Sequence, residues 1–132
     1  MKRLVLTVLA AVLLVQPAMA QHGDEVDVAF QRGLLHRSGD PSLALHWLGV
    51  AAARGMPEAM FVLANMLLEG EGEGKGGVRD EAAARRWLEA AAELDYPEAW
   101  QQLALLEPDP QRAAQLMRRA AHALTHRAEG KR

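Results

Sequence analysis

The sequence contains no cysteine, and only two of its 132 residues are serine. Without cysteine the chain has no disulfide, no thiolate nucleophile, no sulfur ligand for zinc and no cysteine for lipid attachment. Ser38 and Ser42 fall in a predicted turn and at a predicted helix start, and neither belongs to a Gly-x-Ser-x-Gly motif. Because nucleophilic residues are scarce and lie in no catalytic motif, the sequence predicts no catalytic residue and no enzymatic activity.

Aromatic residues make up only 5% of the chain, and no segment alternates apolar and polar residues over the length of a strand. Alanine is abundant instead, and alanine has the highest helix propensity. The formal net charge is −2, which argues against general binding of nucleic acid. The composition therefore predicts an all-α protein.

The first twenty residues resemble a secretory signal peptide. Lys2 and Arg3 precede an apolar run over residues 4–15, and Ala18-Met19-Ala20 reads as a small-residue cleavage site after Pro17. The run is short for a membrane span, so an uncleaved anchor is the less favoured alternative. We expect residues 1–20 to be removed in export to the periplasm or the medium, leaving residues 21–132 as one domain.

An internal repeat is the strongest pattern in the rest of the chain. A shift of forty residues superimposes Trp47-Leu48 on Trp87-Leu88, Ala51-Ala52 on Ala91-Ala92, and Pro57-Glu58-Ala59 on Pro97-Glu98-Ala99. A shift of sixty-nine aligns Asp40-Pro41 with Asp109-Pro110 and Ala51-Ala52 with Ala120-Ala121. Self-similarity at this period is typical of stacked helical repeats.

Each repeat unit predicts two helices. In the first unit Asp40 is the expected N-cap and Gly55 the expected stop between the helices. Asp95 replaces that glycine in the second unit. We expect Trp47 and Trp87 to be buried at equivalent places between hairpins. The predicted helices, including single flanking helices, are about Val26 to Arg37, Pro41 to Arg54, Pro57 to Glu69, Asp80 to Leu94, Pro97 to Leu106 and Pro110 to Arg127.

These six helices predict a short α-solenoid of stacked antiparallel hairpins, with about two full repeats plus terminal capping helices. Residues 21–25 and 128–132 are expected to be frayed. The last helix should pack through one apolar stripe, formed by Ala113, Leu116, Met117, Ala120, Ala121 and Leu124.

The pattern Ala44-x-x-Trp47-Leu48-x-x-Ala51-Ala52-x-x-Gly55, continued by Ala59 and Leu63, resembles the Sel-one-like repeat, a relative of the tetratricopeptide repeat. Ala64 and Ala104 stand where that family usually has glycine, and the loop over residues 70–77 is longer than usual. The resemblance implies an adaptor or scaffold that binds proteins and has no shared active site.

Two segments could carry metal chemistry. The loop over residues 69–77 alternates glutamate with glycine, which suits either a flexible linker or a calcium site, and the linker is favoured because no calcium-loop motif is present. His122 and His126 have the spacing of a helical metal pair but lack further ligands, so we expect solvated polar residues. The sequence thus predicts no metal and no cofactor.

Surface recognition is the remaining function. If the first helix of each hairpin lines the concave face, one row of side chains is available to a partner protein or peptide. That predicted row consists of His46, Val50, Arg86, Glu89, Glu93, Gln115 and Arg119.

We therefore expect a periplasmic or secreted adaptor that binds an acidic or helical peptide without catalysis. One alternative is a small hydrolase or cell-wall-binding protein built on the repeat frame, which would need two converging carboxylates in a cleft. Another is a structural subunit that oligomerises to complete its stack.

Overall fold

A computed structural model of the chain describes residues 17–70 and 79–131. The described residues form helices joined by short turns and contain no strand. The helices are α1 (Pro17–His36), α2 (Pro41–Ala53), α3 (Pro57–Glu69), α4 (Glu81–Glu93), α5 (Pro97–Leu106) and α6 (Pro110–Glu129). The all-α class and the number of helices match the sequence prediction.

Aspartate N-caps fix where α2, α4 and α6 begin. The Asp40 carboxylate accepts a hydrogen bond from the Leu43 backbone N–H at 3.1 Å, and the Asp80 carboxylate accepts one from Ala83 at 2.9 Å. Asp109 does the same for the N–H of Gln111 at 2.8 Å. Each cap satisfies a backbone donor that a helix start leaves without a partner.

The turns that follow α2 and α4 each contain one residue in the left-handed backbone region. Gly55 has φ +91° after α2, and Asp95 has φ +57° at the matching place after α4. Glycine adopts this conformation without steric cost, and aspartate tolerates it better than most residues. The exchange of glycine for aspartate therefore leaves the turn unchanged.

The core is built from small residues that recur in the repeat. Leu48 and Leu88 are fully buried, and the alanines beside them on α2 and α4 are equally inaccessible. On α1, Gly33 gives Leu48 its space, since a Cβ atom at Gly33 would lie 2.6 Å from the leucine Cγ. Alanine and glycine thus let successive helices approach closely around one leucine per repeat.

Three details of the packing differ from the sequence prediction. Trp47 and Trp87 are only half-buried at the edge of the core, because the leucines that follow them take its centre. On α6 the structure buries Ala120 and Ala123, whereas Met117 remains exposed. Residues 21–25, expected to be frayed, lie within α1, and α6 continues to Glu129.

Each helix packs mainly on its neighbours in the chain. The most extensive contacts join α1 to α2, α3 to α4, and α5 to α6, with smaller interfaces between α2 and α3 and between α4 and α5. None of the described helices is long and apolar enough to cross a membrane. Residues 1–16 of the expected signal peptide and residues 71–78 of the glycine and glutamate loop lie outside the described residues.

Candidate interaction surface

The predicted row lies on three alternate helices. His46 and Val50 are on α2, and Gln115 and Arg119 are on α6. All members are exposed except Val50, which is half-buried. The remaining three members, all on α4, are Arg86, Glu89 and Glu93.

The structure does not gather this row into one groove. Val50 lines a groove between α1 and α2, and Gln115 and Arg119 line a second groove between α5 and α6. The three members on α4 line neither of these two grooves. Three of the seven members of the row thus line one or other of these two grooves, and the other four line neither.

The α1–α2 groove has a volume of about 620 Å³ and mixed charge. The Arg32 guanidinium lies 4.7 Å from the centre of the Trp47 ring, and His46 meets the same ring edge-on at 5.3 Å. At the rim, Arg54 forms an ion pair with Glu25 at 3.2 Å. Because these charges already pair within the groove, it offers little net charge to a ligand. Its lining residues are Asp24, Glu25, Val28, Ala29, Arg32, Trp47, Val50 and Arg54.

The α5–α6 groove has a volume of about 520 Å³ and a basic wall. The Arg119 guanidinium lies 5.1 Å from the centre of the Trp100 ring, within the range of a cation–π contact. Arg118, His122 and Asp95 also line this groove. The groove thus combines an aromatic surface with more cationic groups than anionic ones. Gln115 and Ala123 complete its lining.

An ion pair fixes the two helices that form this groove. Arg127 on α6 donates two hydrogen bonds to the Glu98 carboxylate on α5, at 2.9 and 2.8 Å. The guanidinium also lies 5.4 Å from the centre of the Tyr96 ring. A bidentate pair of this kind restrains orientation as well as distance. The pair therefore links the two helices that form the groove.

Three groups at this joint have a shifted pKa, and the side-chain hydrogen bonds between Arg127 and Glu98 raise the pKa of Arg127. The hydrogen bonds from Arg127 hold the pKa of the Glu98 carboxyl below its ordinary value. Burial raises the pKa of the Tyr96 hydroxyl, and the nearby Glu98 charge raises it further. Glu98 is therefore ionised at neutral pH and serves as an anchor for Arg127 rather than as an acid.

The histidine pair lies on the exposed side of α6. The Nε2 atoms of His122 and His126 are 3.0 Å apart, and the rings meet edge-on. Across residues 17–70 and 79–131, no cluster of three or more histidine, cysteine, aspartate or glutamate side chains is arranged to hold a metal ion. The sequence prediction of solvated histidines agrees with their exposure.

Sequence analysis missed two features of the α5–α6 groove. Trp100 aligns with Met60 under the forty-residue shift, so it carries no repeat signal. Arg127 and Glu98 lie 29 residues apart, and only the antiparallel packing of α5 and α6 brings them together. The one available signal was that Trp100 is the tryptophan outside the repeated Trp-Leu pair.

Comparison with known proteins gives a consistent result. The family model for the Sel1 repeat matches residues 16–56, 57–96 and 101–123. A solved structure described as a Sel1 repeat protein from Oxalobacter formigenes matches with a TM-score of 0.64 and 26% identity. The match covers 86% of this chain and 49% of that protein, so the chain spans about half the length of that relative. No curated protein matches the chain.

The matched ranges begin each repeat one helix earlier than the sequence analysis did. They pair α1 with α2, α3 with α4, and α5 with α6, which are also the most extensive helix contacts. The terminal helices α1 and α6 therefore fall within or overlap the first and third matches. In this phase α2, α4 and α6, the helices that carry the predicted row, are the second helices of their repeats. Since the three matches cover most of its length, the chain belongs to the Sel1 repeat family.

Proposed function

We propose that this chain is a periplasmic or secreted scaffold that binds an acidic segment of a partner protein in the α5–α6 groove. Sel1 repeats generally mediate protein interactions, which supports a binding role for the fold. The observation that carries the proposal is the contact of Arg119 with Trp100 in a groove that Arg118 also lines. Guanidinium groups bind carboxylates directionally, and the indole ring offers apolar area at a low entropic cost.

The fixed walls of the groove favour recognition. The bidentate pair between Arg127 and Glu98 holds α5 against α6, so a partner segment does not have to order the site. Gln115 and Arg119 of the predicted row belong to this groove. The other five members of the row lie on α2 and α4, and we propose that they make secondary contacts with a longer partner. They are His46, Val50, Arg86, Glu89 and Glu93.

Catalysis has no support from the Glu98 carboxyl group, which lies on α5 at the α5–α6 joint. A hydrolase on this frame would need a carboxylic acid that remains protonated near neutral pH. The carboxyl group of Glu98 has its pKa lowered by Arg127, which is the opposite direction. A binding role therefore accounts better for the charged groups of this region than hydrolysis does.

A charge-reversal experiment tests the binding site. Fluorescently labelled acidic and basic peptides of equal length are titrated with the purified chain, and binding is followed by anisotropy. We expect the acidic peptide alone to bind, and the Arg118→Glu/Arg119→Glu variant to lose that binding with an unchanged circular dichroism spectrum. The matched control is Arg112→Glu, because Arg112 lies on the same helix outside the groove and is 72% exposed.

The binding data for these variants distinguish a site confined to the α5–α6 groove from one that extends along the predicted row. Equal loss with Arg112→Glu would mean that net charge, rather than the groove, attracts the peptide. A comparable loss with Arg86→Glu would extend the binding surface to α4. Failure of the acidic peptide to bind would contradict the proposed partner chemistry.

The cellular location is tested separately. Mass spectrometry of the N-terminus in the periplasmic fraction and in the medium should find a chain that begins at Gln21. A soluble cytoplasmic chain that retains Met1 would contradict the export part of the proposal and leave the binding part unaffected.

A further inference from the structure

Asp95 follows α4 in a turn whose geometry does not require an aspartate. Its φ of +57° lies in the backbone region that glycine adopts more easily. The Asp95 backbone N–H donates to the Ala92 carbonyl at 3.0 Å, and Gly55 makes the same contact with the Ala52 carbonyl, also at 3.0 Å. The turn therefore uses the backbone of residue 95 and not its side chain.

The Asp95 carboxylate has no partner among the described residues. The side chain is exposed and lines the α5–α6 groove. Within residues 17–70 and 79–131 it accepts no hydrogen bond and forms no ion pair. Arg118 and Arg119 line the same groove, but the Arg119 guanidinium lies over the Trp100 ring. Asp95 thus adds to a basic groove one negative charge that neither arginine pairs.

The α1–α2 groove shows a carboxylate at the same position with its partner present. Glu25 and Asp95 each lie four residues before a buried alanine of the first helix in their repeat. Glu25 forms an ion pair with Arg54 at 3.2 Å. The residue that aligns with Arg54 under the shift of sixty-nine is Ala123, so the matching cation is missing from the α5–α6 groove. The carboxylate of Asp95 is therefore left available to a ligand.

The α5–α6 groove lies on a face that further helices leave exposed. In the repeat alignment Gln115 corresponds to His46 on α2 and to Arg86 on α4. Both are exposed, although α3 packs on α2 and α5 packs on α4. His122 corresponds to Glu93 on α4, which is exposed as well. A helix packed on α6 in the same manner would leave this face of the groove open.

A carboxylate without a partner changes which ligands the groove accepts. Asp95 repels an anion that reaches it and attracts a cation, whereas Arg118 and Arg119 do the reverse. A continuous polyanion therefore gains from the arginines and loses at the aspartate. A segment with one charge of each sign is attracted at both places. Repulsion of the wrong ligand is a general source of specificity.

We propose that Asp95 is a specificity-determining residue of the α5–α6 groove, and that it selects a partner segment with a lysine or arginine beside its acidic residues. Arg118 and Arg119 bind the acidic residues, and Asp95 binds the neighbouring cation. The inference rests on the proposed binding of an acidic segment in this groove and adds a second charge to that segment.

Three labelled peptides of equal length test the selectivity. Each contains the same central pair of glutamates, which is flanked by lysines, by glutamines or by glutamates. Anisotropy follows their binding at physiological ionic strength, where attraction between distant charges is screened. We expect the parent chain to bind the lysine-flanked peptide roughly two- to fivefold more tightly than the glutamine-flanked one, as for an exposed ion pair. The glutamate-flanked peptide should bind more weakly than the lysine-flanked one.

Two variants remove the carboxylate and retain the turn. Asp95→Gly reproduces Gly55 of the preceding turn, and Asp95→Asn changes only the charge, because asparagine also tolerates the left-handed region. Both should lose the preference for flanking lysines and bind the glutamate-flanked peptide roughly two- to fivefold more tightly than the parent does. The matched control is Asp27→Asn, since Asp27 is exposed and lines neither groove. It should retain the parent's ranking of the peptides.

The peptide ranking and the binding itself fail separately. Equal binding of the lysine-flanked and glutamate-flanked peptides by the parent chain would overturn the inference and leave the acidic-segment site in place. So would a preference that persists in both Asp95 variants. A change of the same size in Asp27→Asn would assign the selectivity to net charge and also overturn the inference. If none of the three peptides binds, the proposed function fails and the inference fails with it.

Discussion

The core around α2 and α4 and the contact between α5 and α6 are built from different kinds of residue. The core uses residues that recur in the repeat, with Leu48 and Leu88 fully buried among alanines. The α5–α6 joint uses Trp100 and Arg127, which have no counterpart in the other repeats, although Glu98, the partner of Arg127, belongs to the repeated Pro-Glu-Ala segment. The contrast indicates that repeated residues carry the stability of this protein, whereas unrepeated residues give one part of its surface a specific chemistry.

The largest effect should come from the repeated leucine. Leu88→Ala leaves a cavity in a site with no accessible surface, so we expect a loss of about 2–5 kcal/mol in the free energy of unfolding. Leu105→Ala is the matched control and should have little effect, because Leu105 is 72% exposed. Urea denaturation measures both. Since Trp87 is only half-buried, Trp87→Ala should cost less than the 3–5 kcal/mol expected for a large core aromatic.

Substitutions at two glycines, Gly33 in the core and Gly49 away from it, should have smaller effects of opposite sign on stability. Gly33→Ala would bring a methyl group to within 2.6 Å of the Leu48 Cγ atom, so we expect a destabilisation of about 1–3 kcal/mol from overpacking. Gly49→Ala has no heavy atom within 4 Å of the added methyl. Because alanine is the better helix former, it should stabilise the chain by up to about 1 kcal/mol. Thermal melts that show the same sign for both variants would contradict this account of the α1–α2 contact.

The smallest effect belongs to the unrepeated joint. Glu98→Gln removes the charge from a half-exposed ion pair, so the expected loss at neutral pH is only about 0–1 kcal/mol. The folded-state pKa of Glu98 is lowered, so its contribution is present above the unfolded pKa and is lost as the pH falls through the folded one. The difference between the parent and the variant should therefore shrink in acid. A difference that is constant from neutral to acidic pH would assign the effect to packing.

The repeat made most of the fold predictable. Identical residues at fixed spacing located five helix starts to within one residue, and the glycine or aspartate between helices marked the turns. The phase of the repeat was not determined by those residues, since a periodic pattern has no intrinsic beginning. The half-burial of Trp47 and Trp87 was also hidden, because hydrophobicity alone does not rank two adjacent apolar residues by depth.

The candidate groove was less predictable for a physical reason. Arg119 and Gln115 could be selected as polar positions on a helix whose other side is apolar. Their neighbours Trp100 and Asp95 come from the other helix, and their proximity depends on how α5 crosses α6. A single sequence gives no measure of that crossing, so the row predicted along α2, α4 and α6 did not include Trp100 or Asp95.

The packing of each helix mainly on its chain neighbours also bears on how the protein reaches its structure. Contacts between residues close in sequence require little loop closure, and proteins rich in such contacts fold rapidly. A hairpin such as α1 with α2 can form before the remainder of the chain has been synthesised. Folding can therefore advance along the chain one hairpin at a time, with each completed pair serving as the template for the next.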